Sequence, residues 1–195
     1  MLTPWGYSVE GTLPDLITRD EFDAATGGAY SADNRVPAAI AAASAAIRAY
    51  CGWHVSPQLS CTATIDGEAG DIWLPCAALT DVGSVKFDGE PQRVVGYSHR
   101  GRVRTECPQP RGLGNVTVTY TAGYSACATP DLMSVVVGRV LAYVALGSYG
   151  IAQETTDGVS ISYSGSALSD AGGSYIPPSA AKALAPYRLV RAHAA

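Results

Sequence analysis

The sequence predicts an α+β fold: a small helical core with helices at about 18–26, 36–50 and 130–146, an inserted antiparallel β subdomain, and extended N- and C-terminal arms. Three observations carry this expectation. An alanine-rich stretch at 36–50 and an apolar stretch at 132–146 read as helices. Between them, about sixty residues alternate in short runs separated by Gly, Asp and Pro turns. The chain also holds 21 Gly and 12 Pro, so turns and extended segments are plentiful.

Residues 1–16 contain Pro4, Gly6, Gly11 and Pro14 without periodicity and read as extended. Thr18 and Glu21 have the spacing of a capping box, which starts a short helix that Gly27 and Gly28 stop. Asp33 or Asn34 opens the second helix, and Gly52 closes it. Its small side chains permit close packing, with Ile40 and Ile47 on one face. The runs CTATI, DIWLP, VGSVKF, QRVVGY, GRVRTE and NVTVTYTA read as strands, with turns at Asp66-Gly67 and Asp88-Gly89. Thr129 then caps a third helix with Pro130 at its first position. Apolar residues cover most of that helix, which predicts burial on most sides and packing against the second helix. A strand at 158–164, a Gly/Ser-rich run and a short helical turn at 179–184 complete the order. In domain terms the expectation is an N-terminal arm at 1–17, a helical core at 18–57 and 123–150, the β subdomain at 58–122, and a strand with the C-terminal arm at 151–195.

Charged residues are 15% of the 195, against about 25% in typical domains. With 47% hydrophobic residues this excludes wholesale disorder and suggests apolar surface meant for another protein. Residues 1–90 carry 12 acidic and 4 basic side chains, residues 91–195 carry 5 and 9, so copies of the chain can associate head to tail. Five widely spaced cysteines do not form a disulfide framework. The first residues show no signal-peptide pattern, and the apolar stretch at 132–146 is too short and carries Arg139, so a soluble, non-membrane protein is expected.

Signatures of chemistry are sparse. Cys51 and His54 give one Cys-x-x-His pair with no second pair at metal spacing, and a Cys–His nucleophile lacks any sign of an oxyanion hole. There is no Gly-x-Ser-x-Gly elbow, P-loop or dinucleotide fingerprint. Asp66, Glu68 and Asp71 cluster without the spacing of a calcium loop. The expectation is no enzyme, no cofactor and no metal. One polar feature stands out: Arg93, Arg100, Arg102, Arg104 and Arg111 lie within nineteen residues, and on a strand Arg100, Arg102 and Arg104 share a face. With few interleaved aromatics and net charge −4, an acidic protein partner suits this face better than nucleic acid, the alternative being an edge strand kept soluble by charge.

The order ITRDEFDAAT, VPAAIAAASAAIRAYCGWHVSP, a β insertion, then VTVTYTAGYSACATPDLMSVVVGRVLAYVAL resembles the head–tail connector (adaptor) proteins of long-tailed bacteriophages. The matching elements are the helix ending Tyr50-Cys51-Gly52-Trp53, the junction from Tyr120 through Gly123 and Tyr124 to Pro130-Asp131-Leu132, the strand from Asp157 to Tyr163, and Leu184-Ala-Pro-Tyr187-Arg188. The resemblance covers residues 17–57 and 116–191, and the chain departs from it in a long insertion at 58–115 and an extra N-terminal arm. It implies a structural virion protein without cofactor, assembled in the host cytoplasm and located in the neck. There a ring of twelve copies sits under the portal, extends the DNA channel and joins the next neck or tail component. DNA would pass without sequence-specific contact. Another neck or tail-completion ring is the nearest alternative, with a β-type binding module or a Cys/His enzyme beyond it. Tyr187, Arg188, Leu189, Val190 and Arg191 of the C-terminal arm, with Arg100, Arg102 and Arg104, are the expected partner interface.

Overall fold

The computed structural model describes residues 1–125, 129–146, 153–156, 159–162 and 176–189. The chain divides into two units, each assembled from separate segments: residues 1–14, 51–128 and 187–195 form the first, and 15–50 and 129–186 the second.

The first unit is built on two antiparallel sheets. Its strands are β1 (Tyr7–Val9), β2 (Leu59–Gly67), β3 (Ile72–Trp73), β4 (Leu79–Phe87), β5 (Glu90–Gln92), β6 (Val94–Tyr97), β7 (Arg102–Thr105) and β8 (Gly112–Ala122). Five form one sheet in the order β1-β2-β8-β4-β5, and three form another in the order β3-β7-β6. The longest strand, β8, is central because its alternating Val116, Val118, Tyr120 and Ala122 are all buried. The N-terminal stretch contributes the edge strand β1, whose Tyr7 and Val9 face the core while Ser8 does not. Asp88 and Gly89 take positive φ values of 49° and 89° between paired Phe87 and Glu90, the two-residue hairpin that Asp-Gly favours. The run QRVVGY does not form one strand. It breaks at Arg93, and its halves enter different sheets as β5 and β6.

The second unit holds α1 (Arg19–Ala25), nearly all of α2 (Val36–Cys51), α3 (Pro130–Leu146), the hairpin β9 (Gln153–Thr156) with β10 (Val159–Ser162), and α4 (Pro178–Leu184) continuing into a 3₁₀ turn (Ala185–Tyr187). The capping box is formed: the Thr18 N–H donates to Glu21 Oε2 at 2.6 Å, and the Glu21 N–H to Thr18 Oγ1 at 3.2 Å. Arg19 then donates to the carbonyls of Tyr30, Ser31 and Asp33 and fixes the α1–α2 connection. Ile40, Ala43 and Ile47 make the buried stripe of α2.

Helix α3 differs from expectation. Leu132, Val136, Val140 and Val144 are buried along one stripe, while Met133, Val137 and Leu141 are only half-buried and Ser134, Gly138 and Ala142 are exposed. Within one chain, then, it is covered on one side rather than all round, and it packs against α4. Of the expected strand at 158–164, β10 is described; the Gly/Ser-rich run at 164–174 lies outside the described residues. No helix among the described residues is long and apolar enough to cross a membrane.

Candidate partner interface

Strand β7 alternates strictly: Val103 and Thr105 are buried, Arg102 and Arg104 exposed. Its neighbour β3 pairs Ile72 with Val103 and Trp73 with Arg102, so Trp73 shares the outer face with the two arginines. The indole is 57% exposed, and the Arg102 guanidinium carbon lies 5.6 Å from its ring centroid. Asp71, just before β3, receives both guanidinium groups. Arg104 donates from Nε to Oδ1 at 2.9 Å and from Nη2 to Oδ2 at 3.0 Å, and Arg102 donates to Oδ2. These bonds, chiefly that of Arg104, hold the Asp71 carboxyl below its ordinary range. The Gln109 side chain donates to the Asp71 carbonyl at 3.0 Å and fixes the backbone beneath. Beside the pair opens a hollow of about 280 Å³ lined by Asp71, Val95 to Ser98, Arg102 and Arg104.

Arg100 does not stand on the strand with them. It lies in the β6–β7 turn, exposed, where its charge opposes the upward push that burial exerts on the Tyr124 hydroxyl. The face is therefore two strand arginines clamped by one aspartate. Sequence reasoning missed Asp71 in this role because 31 residues separate it from Arg102. It also missed Trp73 and Val95, although period-two alternation opposite Ile72 would have turned Trp73 outward. Asp66 and Asp71 are turned to different partners, since Asp66 Oδ1 accepts from the Gly114 N–H at 2.6 Å.

Of the C-terminal residues, the Tyr187 carbonyl accepts from Trp53 Nε1 at 2.7 Å, and its ring meets Tyr124 edge-on at 5.2 Å. The Leu189 N–H donates to the Cys51 carbonyl at 2.8 Å. Arg188 is exposed; Val190 and Arg191 lie outside the described residues.

Cys51 and His54 do not form a catalytic pair. Burial pushes the Cys51 thiol up to about 12. His54 is fully buried, with Nδ1 against the Tyr7 hydroxyl at 2.7 Å and Nε2 against the Ala122 carbonyl at 3.0 Å. A protonated thiol and an imidazole already bonded at both nitrogens supply neither a nucleophile nor an open base.

Comparisons with known proteins agree. The chain matches the head completion protein family over residues 15–190. No curated protein matches it at a significant level. Among solved structures, a chain in the neck of a native GTA particle computed with C12 symmetry is similar in fold, with TM-score 0.57 and 17% identity over 95% of this chain and 96% of that one. A chain in the neck of an empty GTA particle computed with C6 symmetry gives 0.55 and 19% over the same shares. The chain belongs to the head completion protein family, a structural and non-enzymatic family.

Proposed function

We propose that this chain is the head-to-tail adaptor of its particle: twelve copies close a ring under the portal, extend the DNA channel and join the capsid to the next neck or tail component. The observation that carries this reading is likeness in fold along nearly the whole chain to a neck component in a map of twelvefold symmetry. The half-exposed apolar side chains of α3 and the opposite charges of the two sequence halves also support it, since a closed ring joins two different patches of one subunit.

In this reading residues 18–57 and 123–150 form the ring body, and within the β subdomain at 58–122 the long insertion at 58–115, with the extra N-terminal arm, is where this chain departs from compact adaptors. Arg100, Arg102, Arg104 and residues 187–191 face partners. DNA slides through without base-specific contacts, because a conduit must pass any sequence; phosphate contacts there would weaken with salt. Electron micrographs of particle necks, averaged around the axis with antibody fragments marking this chain, test the reading. Twelve marked copies directly beneath the portal are expected. A ring lower in the tail, out of contact with the portal, would instead establish a tail-completion protein.

A further inference from the structure

The ring reading, on which this inference rests, requires each copy to meet the next through two unlike patches. One patch is already built. Asp71 neutralises one of two clamped guanidinium charges, leaving a net positive charge whose position is fixed, with Arg102 Nη1 and Arg104 Nη1 unbonded among the described residues. Beside them Trp73 and Val95 are 57% and 63% exposed. Arginine and tryptophan are the side chains that most often anchor protein contacts, and an aspartate-clamped pair loses little freedom on binding.

The complementary patch lies at the tip of the β4–β5 hairpin. Asp88 and Glu90 are exposed on either side of Gly89, β5 is an edge strand, and neither carboxylate joins an ion pair among the described residues. The hairpin belongs to the acid-rich half of the sequence and the arginine face to the basic half. We propose that the Arg102/Arg104 face of one copy receives the Asp88–Glu90 turn of the next, the carboxylates taking the guanidinium N–H donors that Asp71 leaves open. A DNA phosphate would satisfy the same donors. It would leave Trp73 and Val95 uncovered, and a chain of net charge −4 repels DNA beyond this face.

The test uses the full chain. Glu90→Arg and Arg104→Glu are each expected to weaken copy–copy association in sedimentation velocity by about tenfold or more, and their combination to restore it. Asp88→Asn with Glu90→Gln, which keeps the turn sequence favourable, is expected to weaken it as well. A benzoylphenylalanine placed at Val95, in a mixture of isotopically light and heavy chains, should crosslink to the Asp88–Glu90 turn of another copy. The same crosslinker carried into assembled particles decides the matter if the purified chain stays monomeric. Association unchanged by Glu90→Arg, or crosslinks to other residues or to DNA, overturns this contact. Rings that persist in those variants leave the adaptor reading standing; particles whose necks lack this chain remove both.

Discussion

The Tyr7 hydroxyl lies 2.7 Å from Nδ1 of His54 and accepts the His54 backbone N–H at 3.0 Å, so one oxygen joins positions 47 residues apart. Because the Ala122 carbonyl can only accept, His54 carries its proton on Nε2, and Nδ1 receives the tyrosine proton. Three segments of the first unit, β1, the residues after α2 and the end of β8, are thereby tied at one buried point. Tyr7→Phe leaves the Nδ1 acceptor and the His54 N–H without this partner. It is expected to cost about 2–3 kcal/mol in urea unfolding. Wild-type stability in that variant would show that the bond contributes nothing net.

Burial pushes the thiols of Cys51, Cys61 and Cys76 up to about 12, which leaves almost no thiolate at neutral pH. Cys107 is the exposed cysteine among the described residues. Maleimide labelling of the native protein, read by peptide mass, should therefore mark Cys107 and reach the other three only in denaturant. Fast native labelling of Cys51 would contradict its packing.

Two substitutions on α3, two residues apart, should have opposite signs. Val136 is 1% exposed, and Val136→Asp buries an unpaired charge at a cost of about 3–5 kcal/mol. A methyl added at exposed Gly138 meets nothing within 4 Å, so Gly138→Ala should gain about 1 kcal/mol by restricting the unfolded chain. Thermal melts of the two variants check both directions.

The lowered Asp71 carboxyl makes an acid-side prediction. A carboxylate whose folded pKa is depressed contributes stability above the unfolded value and loses it as pH falls through the folded one. NMR titration should show Asp71 ionised below the ordinary carboxylate midpoint, and Arg104→Gln should move its midpoint up toward that value. An unmoved midpoint would mean that Arg104 does not set it.

The helices were legible in the sequence because their signals are local: Thr18 and Glu21 are three residues apart, and Gly52 directly follows Cys51. The junction glycine at 123 was visible as a motif, but its reason was not. Its φ is 121°, and an added methyl would stand 2.4 Å from the Pro57 carbonyl oxygen, so Gly123→Ala should cost roughly 2–3 kcal/mol. The division of QRVVGY at Arg93 was hidden because the run reads on there without a Gly, Pro or Asp turn signal, and only the strand partners reveal the break: Val85 with Gln92, Thr105 with Val94. The arginine face was half legible. Arg102 and Arg104 follow from strand period, whereas Asp71 and the displacement of Arg100 into a turn depend on tertiary pairing that spacing does not encode.

The chain passes between its two units at residues 14, 50, 128 and 186. During synthesis this ordering has a temporal meaning. Leu184, wholly buried in the second unit, and Tyr187, bonded to Trp53 in the first, emerge from the ribosome within three residues of each other. Both units thus receive these pieces almost simultaneously, after every other described element has been made. A copy broken off before residue 176 is deficient in each, and carries into the cell no half that is finished by itself.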